Sequence, residues 1–177
     1  MDEKYLENVR LLLVDDNVFI RSLVRRVLAV LGATQIGEAN DGTEALQVMR
    51  SFRPDVVILD WEMQPMNGLD LAKAIRTGDM SPAPYVPIIM LSGYSEVERV
   101  VTARDAGINE FVVKPFTAVR LFGSIHSVIE RPRPFIKMDS YFGPCRRRRN
   151  VGAPRGKDRR RSEAPPTVEN AADPGET

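Results

Sequence analysis

Cysteine is nearly absent from this 177-residue chain: Cys145 stands alone, so no internal disulfide can form. Histidine is equally scarce. With His126 as the single copy, a histidine-built metal centre or a Ser-His-Asp triad has no parts to draw on. No apolar run approaches the roughly 20 residues that a membrane-crossing helix needs. The opening "MDEKYLENVR" lacks the basic start and apolar middle of a secretory signal, so a cytoplasmic, reducing location is expected. An excess of either charge is also lacking, since 25 Lys/Arg stand against 24 Asp/Glu.

That balance hides an asymmetry. Residues 1–131 carry 14 Lys/Arg against 18 Asp/Glu, residues 132–163 carry 11 against 3, and residues 164–177 carry 3 acids and no base. Seven prolines and four glycines fall within 132–177, which reads as a segment unable to build a packed core. The expected organisation is a short N-terminal extension (1–8), one globular domain (9–131) and a basic, Pro/Gly-rich disordered tail (132–177). Such a tail cannot supply a helix-turn-helix core, so the expected output is a protein contact or the tail itself.

Within 1–131, short apolar runs alternate with amphipathic stretches. The runs are "RLLLV" (10–14), a weaker "ATQIGEA" (33–39), "DVVIL" (55–59), "VPIIML" (86–91) and "EFVVK" (110–114). Near-continuous Val/Ile/Leu runs suit strands buried on both faces of a parallel sheet, with the second the most exposed edge. Between them a 3.6-residue period predicts a first helix from about Val18 to Leu31, with Phe19, Leu23, Val27 and Val30 or Leu31 on its apolar side. Capping pairs Asp41/Glu44 and Ser95/Glu98, with Asn67 and Thr117, mark further helix starts, and Leu31-Gly32 and Ala106-Gly107 mark stops. Five strands alternating with five helices give an α/β domain with right-handed crossovers.

Open α/β sheets bind ligands beyond the carboxyl ends of their strands. Strand one runs into Asp15-Asp16, strand three into Asp60, strand four into Ser92-Gly93, and strand five into Lys114-Pro115. Singly, each has an ordinary explanation: Asp16 or Asn17 as a helix cap, Ser92 as a turn residue, Lys114 as a solvated charge. Four strands delivering complementary groups to one rim outweigh those readings. Crowded carboxylates call for a hard divalent cation with oxygen ligands, Mg²⁺ or Mn²⁺. An Asp carboxylate is a competent nucleophile toward phosphoryl groups, and a metal, the Lys114 ammonium and the Ser92 hydroxyl suit the three phosphoryl oxygens.

At these residues the chain resembles the receiver domain of two-component response regulators, over roughly residues 8–130. "VDDN" resembles the acidic pair, "ILDWEMQPMNG" the phospho-acceptor loop, "MLSG" the switch hydroxyl and "FVVKPF" the lysine segment. The resemblance implies a flavodoxin-like (CheY-like) fold with a five-stranded parallel sheet in the order 2-1-3-4-5, flanked by five helices. It further implies that Asp15, Asp16, Asp60 and the backbone carbonyl of Glu62 hold the metal. Asp60 would accept the phosphoryl group, Ser92 and Lys114 would bind its oxygens, and Ser92 with Phe111 would form the switch. The Lys114–Pro115 bond would be cis. The sequence departs from the family pattern with Gln64 where proline is usual (Pro65 comes next), with Gly93 after the hydroxyl residue, and with Phe111 in place of a tyrosine. Glu62 and Tyr94 flank the expected water path.

The implied role is a single-domain response regulator, not an enzyme. It would be phosphorylated by a histidine kinase or histidine phosphotransfer protein and would engage a target through the face of helix 4, strand 5 and helix 5. The competing class is a metal-dependent phosphohydrolase with an Asp nucleophile. In the tail, "SYFGPCRRRRN" and "RGKDRRR" gather Arg146, Arg147, Arg148, Arg149, Arg159, Arg160 and Arg161. The simplest reading is a solvated basic extension. The alternatives are binding of an acidic protein surface, nucleic acid or membrane lipid, or of cyclic di-GMP, as in chemotaxis-type receivers that this tail resembles. Ahead of the arginines, Phe135, Ile136, Tyr141 and Phe142 are placed to dock on the domain or a partner.

Overall fold

A computed structural model describes residues 5–77, 81–138 and 141–146, and the backbone of 167–169. The continuous apolar runs become the strands β1 (Arg10–Val14), β3 (Val56–Asp60) and β4 (Ile88–Ser92), with β2 (Gln35–Ala39) and β5 (Glu110–Val113) at the two edges. All four pairings are parallel and the order is β2-β1-β3-β4-β5, as expected. Side chains alternate between two cores. Leu12, Val14, Val57, Leu59, Ile88 and Met90 face one, and Leu11, Leu13, Val56, Ile58, Ile89 and Leu91 face the other. Both faces are therefore dry, which is why these strands read as unbroken apolar runs.

The crossover helices are α1 (Val18–Val30), α2 (Gly42–Phe52), α3 (Gly68–Thr77), α4 (Val97–Asp105) and α5 (Ala118–Glu130). Asn17, Asp41 and Thr117 cap α1, α2 and α5 through their side-chain oxygens, and Asn67 accepts from the Asp70 N–H at 2.9 Å. α1 and α4 both end in a Schellman arrangement. Ala33 N–H bonds to Leu28 O (3.0 Å) and Ile108 N–H to Ala103 O (3.2 Å), with Gly32 and Gly107 at φ 89° and 84°.

Two sequence expectations fail in the helices. α1 turns Val24 and Leu28 inward, while Phe19 is 82% exposed and Val30 85%. The helix carries more apolar residues than one face can hold. Packing selects the stripe Ile20, Val24, Val27, Leu28 and Leu31 over the one through Phe19. Ser95 does not cap α4 either: the helix starts at Val97 behind Glu96, with no side-chain cap, and buries only Ala103.

The boundary expected at residue 131 is also not where order stops. Strands β6 (Phe135–Met138) and β7 (Tyr141–Pro144) form an antiparallel hairpin, and β8 (Thr167–Glu169) pairs along the other edge of β6. The hairpin covers Arg76 of α3, whose buried guanidinium donates to the carbonyls of Gly107 (2.9 Å) and Pro84 (2.7 Å) and to Asn109 Oδ1 (3.0 Å). The Phe135 ring lies 5.0 Å from that guanidinium and 5.2 Å from the Tyr85 ring. Burial lowers the Arg76 pKa to about 9, which leaves it cationic at neutral pH. Arg133 reinforces the seam by donating to the backbone carbonyls of Asn109 and Cys145. The glycine and proline content that reads as disorder hides four apolar or aromatic anchors, and Gly143 is the residue that lets the hairpin sit against Gly107.

Phe135→Ala should therefore cost roughly 3–5 kcal/mol in urea unfolding, the range for deleting a buried phenyl ring. A loss under about 0.5 kcal/mol would mean that the hairpin is not docked in solution.

Candidate functional site

Because β1, β3, β4 and β5 run in one direction, their carboxyl ends meet at one edge. Asp15 sits just past β1 and is 1% exposed, and its N–H continues the ladder to Ala39 O (3.2 Å). Its side chain accepts from the Asn17 N–H (2.8 Å), and its carbonyl accepts from Arg21 (2.6 Å). Asp16 is exposed and accepts from the Gln64 N–H (3.3 Å), tying the first strand's exit to the loop after β3. Asp60 closes β3. Ser92, buried at the end of β4, accepts from the Tyr94 N–H (3.1 Å). The Lys114 N–H donates to Ser92 O (2.7 Å), which aims the side chain back over the edge.

Lys114 Nζ lies 3.0 Å from Asp60 Oδ1 and 3.3 Å from Asp15 Oδ2. Carboxylate oxygens of Asp15, Asp16 and Asp60 lie within 4.8 Å of one another. Two such charges ~4 Å apart repel by roughly 4 kcal/mol at an effective dielectric near 20. One ammonium against three carboxylates leaves the mouth doubly negative. All-oxygen donors of this charge fit a hard divalent cation such as Mg²⁺ or Mn²⁺.

Further sequence-predicted residues lie around the mouth. The Lys114–Pro115 peptide is cis, as is Gln64–Pro65. Phe111, half-buried, packs edge-on against Trp61 with ring centres 6.3 Å apart. Gly68 makes room for Asp60: a Cβ there would stand 2.0 Å from the Asp60 carbonyl oxygen. Arg146 pairs with Asp105 at the end of α4 (3.4 Å) and lies over the Tyr141 ring. Arg147, Arg148, Arg149, Arg159, Arg160 and Arg161 lie outside the described residues.

Sequence reading missed Arg99. It sits in the first turn of α4, ion-paired with Glu62 (3.3 Å), with its guanidinium carbon 4.1 Å from the Tyr94 ring centre and 5.3 Å from that of Trp61. No local motif announces it. Among the described residues no helix is long and apolar enough to cross a membrane.

Burial pushes the Asp60 carboxyl above the usual carboxylate range. Lys114 pulls it the other way by hydrogen bond and charge, while Asp15 adds to the rise. A folded-state pKa above the unfolded one gives stability that is complete below the unfolded pKa and is lost as pH rises through the folded pKa. In EDTA at neutral pH, Asp60→Asn should thus melt above the native chain by roughly 2–4 °C. The gap should narrow on acidification. An equal or lower melting temperature would contradict this charge balance.

The comparisons agree with the geometry. Residues 11–126 match the response regulator receiver domain. The chemotaxis protein CheY of Pseudomonas aeruginosa is 36% identical over 123 residues, covering 70% of this chain and 98% of that protein. CheY-3 of Vibrio cholerae is 35% identical over 125 residues, covering 71% and 95%. Among solved structures, that of V. cholerae CheY4 superposes with a TM-score of 0.62 at 31% identity, covering 68% of this chain and 98% of the other. With its acidic mouth at the carboxyl edge of a 2-1-3-4-5 sheet, this chain belongs to the response regulator receiver domain family.

Proposed function

We propose that this chain is a phosphorylation-dependent switch in which Asp60 accepts a phosphoryl group from a histidine kinase or histidine phosphotransfer protein. The observation that carries the reading is Lys114 Nζ, 3.0 Å from Asp60 Oδ1 beside the buried Ser92 hydroxyl. An Asp60 oxygen attacks phosphorus, the bond to the donor's imidazole nitrogen breaks, and the electron pair leaves with the imidazole. Asp15, Asp16, Asp60 and the Glu62 carbonyl would hold a Mg²⁺ or Mn²⁺ ion, which would supply positive charge against the phosphoryl oxygens. Lys114 then neutralises one of those oxygens and Ser92 donates to another.

The same contacts suggest how the state is read. As Ser92 turns its hydroxyl to the phosphoryl group, the Tyr94 N–H loses its present acceptor, and Phe111 moves into the vacated space. The element biased is α4, which buries only Ala103 and exposes Val97, Val100 and Val101. A cavity of about 380 Å³ beside α4 and β5, lined by Val100, Phe111, Arg104 and Arg146 among others, would give a downstream protein a place to engage the α4–β5–α5 face. The protein turns over no external substrate in this reading. Glu62 stands where Asp-nucleophile hydrolases carry their acid/base, and here it is paired away with Arg99.

Intact-mass analysis after incubation with acetyl phosphate and Mg²⁺ should show one phosphoryl adduct on the native chain. None should form on Asp60→Asn or in EDTA. Lys114→Ala should slow labelling by ~10²-fold, the usual effect of removing one transition-state donor. An adduct that persists in Asp60→Asn would move the acceptor elsewhere.

A further inference from the structure

Arg99 belongs to no part of the phosphoryl-binding set, yet it touches three residues that frame the mouth. Trp61 and Glu62 come directly after Asp60, and Tyr94 is bonded through its N–H to Ser92 Oγ. The guanidinium lies 4.1 Å from the Tyr94 ring centre and 5.3 Å from the Trp61 ring centre, with Nη1 3.3 Å from Glu62 Oε1. A planar cation set against two rings with a carboxylate at its edge joins cation–π contact to an ion pair through its fork, a combination that lysine cannot supply.

Glu62 and Tyr94 are exposed side chains, and among the described residues Arg99 is the partner that holds both in place. Remove Arg99 and both are released. The segments that follow β3 and β4 are thereby fastened to each other and to the start of α4. That helix start is the one with no side-chain cap of its own.

We infer that Arg99 is a positioning residue that clasps Trp61, Glu62 and Tyr94 together over the α4 side of the mouth, and so lengthens the life of the acyl phosphate on Asp60. The inference rests on Asp60 being the acceptor. Loss of the phosphoryl group is a hydrolysis. A water oxygen bonds to phosphorus from the side opposite Asp60, and the phosphorus–Asp60 oxygen bond breaks. The electron pair returns to Asp60 as carboxylate, and the water proton passes to solvent as orthophosphate leaves. In-line approach requires water to enter past the two loops. With the clasp closed, the Tyr94 ring and the Glu62 side chain, two residues past Ser92 and Asp60, would flank that path.

The test uses the full chain, phosphorylated with acetyl phosphate and Mg²⁺ and then freed of donor, with decay of the adduct tracked by intact mass. Arg99→Ala should shorten the half-life about five- to tenfold, the lower part of the usual range of coupling between sites. Tyr94→Ala, which removes one stacking partner and leaves the helix intact, should shorten it in the same direction. Arg99→Lys, keeping the charge beside Glu62 but not the stack, should fall between Arg99→Ala and the native chain. Arg26→Ala, which removes an exposed charge from α1, should decay as the native chain does. Emission from Trp61, the single tryptophan, reports the stack directly and should change in Arg99→Ala but not in Arg26→Ala. Half-lives of Arg99→Ala and Tyr94→Ala within twofold of native, or longer, overturn the clasp. A native chain that never labels instead sinks the phospho-acceptor reading itself, and the clasp with it.

Discussion

The contact of one ammonium with two carboxylates organises this molecule. Lys114 leaves β5 at one edge of the sheet and reaches back across β4 to Asp60 on β3 and Asp15 on β1. Without it the mouth would hold three crowded carboxylates with no cation, an arrangement that costs several kcal/mol in repulsion alone. With it the crowding is tolerated but not cancelled, since burial still holds Asp60 above the usual carboxylate range. The fold thus keeps a charge that it would be more stable without. Such retained strain is the ordinary mark of a site that a ligand or a covalent group completes.

The dryness of the sheet behind the mouth is what permits the arrangement. Each of β1, β3 and β4 is buried on both faces, so their ends cannot shift without exposing core. The ladder continues one step past β1 through the Asp15 N–H, and β5 is pinned by the Lys114 N–H on Ser92 O. The close seat of Gly68 on the Asp60 carbonyl removes the remaining freedom at the end of β3. Rigid strand ends, and not the loops, set the distances at the mouth.

The strands and the mouth were legible in the sequence because a parallel sheet writes itself as unbroken apolar runs, and the polar residues that end each run stand out. Asp15, Asp60, Ser92 and Lys114 could be placed from that rule alone. Helix ends were legible where chemistry is local, as at Asp41, Thr117, Gly32 and Gly107. Three things were not. The face of α1 was ambiguous because Phe19 and Leu23 fit a helical period as well as Val24 and Leu28 do, and only tertiary packing chooses. The hairpin of 135–144 was recognised as a set of apolar anchors but assigned to a disordered tail. It is ordered by Arg76, a buried arginine far back along the chain on α3, which no local window can see. Arg99 was invisible for the same reason, since its partners lie on two other loops.

The hairpin and Arg99 meet on one helix. α4 has almost no buried face, lacks a side-chain cap, and carries its exposed valines outward. Burial therefore does little to place it, and its position depends on polar contacts at its two ends. At the start, Arg99 holds Trp61, Glu62 and Tyr94, all within two residues of Asp60 or Ser92. At the end, Asp105 is shared by Arg104 and by Arg146 from beyond the hairpin, while Arg133 and Arg76 grip the turn after the helix. A helix held at both ends and free in the middle moves as a unit once one end is released. In the proposed switch, phosphorylation would act at the start, next to Ser92, while the Asp105 contacts act at the end. Any coupling between the two regions through α4 is reciprocal by linkage: whatever stabilises the hold of Arg146 on Asp105 would bias the mouth by the same free energy with which the mouth biases that hold.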